Sequence, residues 1–366
     1  IRATGQESST KPENVEECAL PDAVSKPVLS IVRPETRAWP KDVEAGKGAI
    51  DIRVVREDNT RTSYVYCSQN FQFVAPSTIN KDVLTDLARV AEGTRSLVRA
   101  LPWGVEPHAP PGSFHAKLYD TRGEYAADLQ SGSRPDAAPS YAVYDSGEKI
   151  IRIPLNYVAE RRDGALVMVR SVETHPVVHE VTHQMMHDYL QFLPHWVAEG
   201  TAEYAAMLPY RGGVFSADAY EAGLKEYLKT QGRDTKLSDL DRIDSLIRMT
   251  PEEWNARAVK GGVEQRRLYI SSLLLVYYFS HLDGDPKGDR IFKYFDRMAE
   301  ARNAWVTFLN DPRVTLFPGG RILSRIPLPP YPETFGRDHL DILFNGRSGE
   351  ELQKAFLDAY KKIGVK

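Results

Sequence analysis

His179-Glu180-Val181-Thr182-His183 is the stretch from which the rest of the chain can be read. On a helix, residues four apart share a face, so the imidazoles of His179 and His183 stand one above the other and can grip a single ion. Glu180 is offset from that face and can reach a water beside the ion. Two nitrogen ligands and a carboxylate base on one rigid element make up the helix-borne part of a hydrolytic zinc centre. Three fixed positions in five also arise by chance, in helices whose two histidines are merely exposed or hydrogen-bonded. The weight therefore falls on a third ligand.

Pro194-His195-Trp196-Val197-Ala198-Glu199-Gly200-Thr201-Ala202-Glu203-Tyr204 supplies one. The intervening residues 184–198 suffice to finish one helix, turn, and start a second that runs back past the first. Pro194 suits the first turn of that second helix, where a missing N–H costs nothing. Ala198, Gly200, Ala202 and Ala205 are small and allow a close approach to the metal helix. Glu199 then completes a His179, His183, Glu199 set with a fourth position open. Glu203, one turn on, is the candidate acceptor for the second ring N–H of His179 or His183, since ligating histidines need such a partner. The alternative for Glu203 is a solvated surface carboxylate.

HEVTH followed by WVAEGTAEY resembles the gluzincin zinc metallopeptidases, the group that contains thermolysin and the zinc aminopeptidases, and within it secreted bacterial peptidase-like proteins with a W-[LV]-x-E-G-x-A-E-Y signature. The likeness covers residues 175–204, with a weaker echo at 264–282. It implies an α+β fold: an N-terminal mixed α/β lobe with a twisted sheet, a mainly helical C-terminal lobe, and Zn2+ in the cleft between them. It also implies hydrolysis of peptide bonds with Glu180 as general base. Tyr269 near the start of a downstream helix is then the oxyanion donor, with His281 as second choice. The strand nearest the metal helix would be an edge strand to which an extended peptide adds, and the Tyr141–Ile153 hairpin is the candidate. The gap from His183 to Glu199 is a few residues shorter than in thermolysin or the aminopeptidases. The GxMEN-type strand motif that captures a substrate amino terminus is absent, which favours an endopeptidase.

The rest of the sequence bounds this reading. With 366 residues and a formal net charge of −3, the chain is long enough for two lobes and has no basic footprint for nucleic acid. Mean hydropathy is −0.41. The most apolar run, residues 268–282, is interrupted by Ser271, Ser272, Ser280 and His281 and reads as a buried helix rather than a membrane span. No P-loop, GxGxxG or GxSxG occurs. A chain that starts at Ile1 points to a removed signal peptide or to trimming; the expectation is a secreted or periplasmic protein, a monomer that acts on a peptide or protein. Cys18 and Cys67 are the only cysteines. In an exported protein they pair, which the chain-entropy account values at about 4 kcal/mol; in a reducing compartment they stay as two thiols.

The predicted organisation is a flexible polar arm at 1–27, an α/β lobe at 28–170 and a helical lobe at 171–366. A hairpin is expected around Asp58-Asn59, a helix from Asn80 to Leu101, a strand from Ser113 to Tyr119 and a short helix from Thr121 to Leu129. The metal helix spans 174–190 and the Glu199 helix 194–207. More helices are expected at 216–230, 237–248, 264–282, 288–309 and 348–363, with a proline-rich surface loop at 317–335 that can border the cleft. Residues 208–260 suggest nothing beyond completing the helical lobe. His175 and His187 extend the metal pair into a four-histidine stripe. The outer two lie about 18 Å apart along the axis, too far to share an ion, and read as structural, although His187 can also contact substrate or Asp188. His195 reads as a cap or packing residue. Two further functions fit the same motif: a non-catalytic module in which zinc braces two helices, and a zinc hydrolase of a non-peptide amide. A closed site with His187 or His195 as fourth ligand would favour the former.

Overall fold

A computed structural model describes residues 38–44, 50–58, 63–107, 113–132, 141–157, 159–162, 165–168, 174–232, 236–284, 288–316, 322–330 and 332–365. The expected arm at 1–27 and Cys18 lie outside these residues. Cys67 is disulfide-bonded.

The architecture is α+β. A six-stranded mixed sheet is built from β2 (Arg53–Asp58), β3 (Ser63–Cys67), β4 (Phe71–Ala75), β5 (Phe114–Tyr119), β6 (Val143–Asp145) and β7 (Ile150–Pro154), in the order β2-β3-β4-β5-β7-β6. β2, β3 and β4 form an antiparallel meander, β4, β5 and β7 run parallel, and β6 returns antiparallel at the far edge. The parallel connection from β4 to β5 needs a crossover, and α1 (Lys81–Ala100) supplies it. Asn80 caps α1, accepting from the Asp82 N–H, and Val83, Leu84, Leu87, Val90, Leu97 and Val98 form its buried stripe. Thr121 opens α2 (Arg122–Ser131) with a capping box to Glu124. The β6–β7 turn is drawn tight by Asp145, whose Oδ1 accepts from the N–H groups of Gly147 and Glu148.

From residue 174 on, helices dominate. The metal-motif helix α3 (Thr174–Met185) stops five residues earlier than expected, because Met186 leaves helical geometry and α4 (His187–Leu190) is a separate turn. Val177, Val178, Val181 and Thr182 are β-branched and poor helix formers. Burial between α1, the β6–β7 edge and α5 (His195–Met207) outweighs that preference. Gln184 ties α3 to the sheet, its Nε2 donating to the carbonyls of His115 and Lys149.

Helix α5 is buried on nearly all sides, from Trp196 to Met207. Pro194 sits just before its first turn rather than within it. The small-residue argument needs one correction: the bare side of Gly200 faces α9 (Gly262–Tyr277), not α3. A methyl group there would collide with the Ser272 carbonyl and lie 2.7 Å from Val276 Cγ2.

Residues 208–260 carry helices within the expected spans 216–230 and 237–248, together with strands and a third helix that the sequence did not suggest. Val214–Ser216 pairs with Tyr210–Arg211 on one side and with β1 (Asp42–Glu44) on the other. They also hold α6 (Tyr220–Thr230), α7 (Ile243–Arg248) and α8 (Pro251–Ala258). α8 was not expected; Thr250 caps it and Pro251 occupies its first turn. The proline-rich stretch is not one loop. Ile322–Ser324 pairs with Val314–Leu316, and Pro332 begins a helix to Asp338 that packs against Phe192 and Pro194. Among the described residues, no helix is long and apolar enough to cross a membrane.

Candidate metal centre

Helices α3 and α5 pack antiparallel, one turn against one turn. Moving four residues forward along α5 moves contacts four residues back along α3: Glu199 meets His183 and His179, and Glu203 meets His179 and His175. This register brings His179, His183 and Glu199 together as a group able to hold a metal ion.

The Nε2 atoms of His179 and His183 face each other at 3.0 Å. Glu199 Oε2 lies 3.2 Å from the first and 3.4 Å from the second. Tetrahedral ligands at about 2.0–2.1 Å from a zinc ion stand about 3.3 Å apart, so the three atoms already outline one face of such a site. Glu199 Oε2 is buried and makes no properly aligned hydrogen bond, and a buried carboxylate oxygen in that condition is costly. An ion facing it removes that cost, so the residues fit the group.

The electrostatics agree. Burial alone would push the His179 pKa down, but Glu199 and Glu203 beside it hold the ring well above the usual histidine range. Burial would raise the pKa of Glu199, and the adjacent His183 and His179 reverse this, holding its carboxyl well below normal. Glu203 behaves likewise, with His175 first among the groups that lower it. The pocket thus binds a proton strongly, and the same negative field attracts a metal cation.

Glu203 touches His179 rather than His183. Its Oε1 lies 3.2 Å from His179 Nδ1, and its Oε2 lies 3.0 Å from His175 Nε2. The contact with His179 is an ion pair without aligned hydrogen-bond geometry; a proton kept on Nδ1 by that carboxylate would leave the Nε2 lone pair of His179 for an ion. Tyr227 of α6 lies near Glu203 too, and burial followed by the Glu203 charge holds its hydroxyl well above its ordinary pKa.

Glu180 is partly buried beside this group. Its Oε2 accepts the backbone N–H of Tyr144, on edge strand β6, at 2.6 Å. Burial pushes its carboxyl above the usual range, and the neighbouring His179 and His183 pull the other way. The Tyr269 ring stacks near that of His179, with centroids 5.9 Å apart. The Glu199 carboxylate, followed by burial, holds the Tyr269 hydroxyl well above its ordinary pKa, so it stays protonated and able to donate. His281 lies elsewhere. It is stacked on Tyr220 at 3.8 Å and bonded to the Tyr204 hydroxyl at 2.8 Å, and burial pushes its pKa down to about 3.

The other histidines are engaged too. His187 Nδ1 pairs with the Tyr144 hydroxyl at 2.8 Å. His195 stacks on Trp254, with centroids 5.6 Å apart, and burial lowers its pKa. Among the described residues, neither joins the ligand group, which numbers three. His175 and Tyr144 went unassigned to the site at the level of sequence. The four-residue spacing of His175 from His179 was a visible signal, whereas Tyr144 and Tyr227 offered none. No protein-family model matches the chain, and no curated protein matches it.

Proposed function

We propose that the protein is a zinc-dependent metallopeptidase of the gluzincin type, most simply an endopeptidase, working in an oxidising compartment outside the cytoplasm. The observation that carries this reading is the position of Glu180: a partly buried carboxylate, oriented by the edge of the sheet, beside a His179, His183, Glu199 triangle. A site that only braced two helices would have no use for that carboxylate, and a three-residue ligand set leaves a position open for chemistry. Zinc is the ion that two imidazoles and one carboxylate in tetrahedral spacing suit best.

An ion held by His179, His183 and Glu199 supplies Lewis acidity, polarising a carbonyl and making water acidic near neutral pH. The protein's own groups do the rest. Glu180 takes the proton of the attacking water at its carboxylate and passes it to the leaving amine. The protonated Tyr269 hydroxyl donates to the oxygen on which charge develops. β6 is the outer strand of the sheet, and because its Tyr144 N–H is already given to Glu180, an extended peptide pairing with this edge through main-chain hydrogen bonds competes for that donor. The disulfide at Cys67 accords with export, since such bonds persist in oxidising compartments.

The test is mass-spectrometric mapping of cleavage in a diverse peptide and protein mixture, with zinc-loaded wild type and with Glu180→Gln. Cuts made by the wild type and lost in the variant are expected. Equal cutting by both, or a native protein that takes up no zinc, would overturn the reading.

A further inference from the structure

We propose that His175 is a positioning residue of the metal centre: it holds Glu203, which in turn holds His179. The inference rests on reading His179, His183 and Glu199 as an ion site, and it assigns a role to a side chain that the motif itself does not require.

Glu203 is 3% exposed, in the middle of a helix whose neighbouring positions Ala202, Tyr204 and Ala205 are buried against other helices. A carboxylate in such a place is destabilising unless its oxygens are satisfied. Here they are divided between two histidines, Oε2 to His175 Nε2 at 3.0 Å and Oε1 beside His179 Nδ1 at 3.2 Å. The terminal torsion of a glutamate is soft. With His179 alone as partner, the carboxylate could rotate and carry Oε1 away from Nδ1. His175 pins the opposite oxygen and so fixes the plane of the group. The His175 ring is itself held, 5.6 Å from the Tyr227 ring and 6.3 Å from that of His179 by centroid distance. The Tyr227 hydroxyl lies near the same carboxylate. The result is a chain from partly exposed His175 through buried Glu203 to the ligand His179, in which each member orients the next. The antiparallel register of α3 and α5 makes it possible, because a residue one turn before His179 necessarily passes the residue one turn after Glu199.

The experiment measures Zn2+ affinity by competition with a chromophoric chelator for wild type, His175→Ala, His175→Gln and Tyr227→Phe, with the Co2+ absorption spectrum of each as a report on ligand geometry. His175→Ala is expected to weaken Zn2+ binding by up to about tenfold, the lower end of the loss for removing the direct partner of a metal-ligating histidine, because Glu203 itself remains. His175→Gln, whose amide nitrogen reaches where Nε2 stood, is expected to recover most of that loss. Tyr227→Phe should weaken binding in the same direction by less, and His175→Ala should shift the Co2+ bands. A purely structural ion pair would lower the stability of the ion-free protein without changing its affinity. Zn2+ binding by His175→Ala as tight as that of the wild type, or no recovery in His175→Gln, would overturn the inference alone. Should His175→Ala not fold, His175→Phe, which keeps an aromatic ring and removes the nitrogens, takes its place, and unchanged Zn2+ affinity there would do the same. A wild type that binds no Zn2+ would remove the metal centre and this inference together.

Discussion

The backbone N–H of Tyr144 donates to Oε2 of Glu180 at 2.6 Å, and the hydroxyl of the same tyrosine meets His187 Nδ1 at 2.8 Å. One residue of the edge strand is thereby fastened to α3 through its main chain and to α4 through its side chain. The carboxylate next to the metal ligands takes its orientation from the sheet rather than from its own helix. In the proposed role of Glu180 as general base, rigid support of this kind matters, because small displacements of a catalytic group lose large factors in rate.

Replacing Tyr144 with Phe should separate the two attachments. The backbone donor to Glu180 survives and the bond to His187 is lost, leaving a partly buried imidazole nitrogen without its partner. A loss of about 1–2 kcal/mol is expected from urea unfolding of the ion-free protein. Unfolding at the wild-type midpoint would show that the hydroxyl bond contributes nothing.

Tyr269→Phe should act on rate and not on loading. With the phenol gone, kcat for a cleaved peptide is expected to fall about 10²–10³-fold, the range for removing one donor to a developing oxyanion. Zinc content by elemental analysis should stay at the wild-type level. A kcat that does not change would assign the ring to packing against His179.

Gly200→Ala tests the close contact between α5 and α9. The added methyl group meets the Ser272 backbone and Val276 Cγ2, and neither can withdraw without separating two buried helices. Overpacking of this kind costs about 1–3 kcal/mol. Because Glu199 is the preceding residue, Zn2+ uptake should weaken along with the thermal midpoint. A variant with wild-type stability and uptake would show that α9 yields easily.

His281 makes stability depend on pH. Burial pushes its folded pKa down to about 3, whereas an unfolded histidine titrates near 6.5. As pH falls below that value the unfolded chain gains a proton that the folded chain refuses, so stability declines progressively from about pH 6.5 towards pH 3. His281→Gln removes the titrating group. It should be less stable than wild type at pH 7, where the pairing with Tyr204 is weakened, and should lose less stability between pH 7 and pH 4. Parallel slopes for the two proteins would contradict the burial argument.

Stripping the ion should lower the melting temperature at pH 7 without unfolding the protein, since the packing of α5 against α9 does not depend on it. Ligating histidines must give up their protons to bind metal, so the difference between loaded and ion-free protein should shrink at pH 5. Melting curves with and without chelator at the two pH values measure this. A gap of equal size at both would argue against histidine ligation.

Much of the centre was legible in the linear sequence because its information is local. His179 and His183 lie on one helical face by spacing alone, and the Pro194–Tyr204 segment carries a carboxylate at a distance one turn and one helix can span. The amphipathic stripe of α1, the short helix at 121–129 and the β6–β7 turn were equally local, set by side-chain period and by hydrogen bonds between near neighbours. What the tertiary structure decided were relations between segments far apart in the chain. The choice of His179 over His183 as the partner of Glu203, the approach of Tyr227 and His175 to that same carboxylate, the turning of Gly200 towards α9, the seclusion of His281 and the hold of Tyr144 on Glu180 all depend on helix register and strand order. Those follow from how many apolar faces must be buried at once, and one segment's pattern cannot reveal which partner covers it.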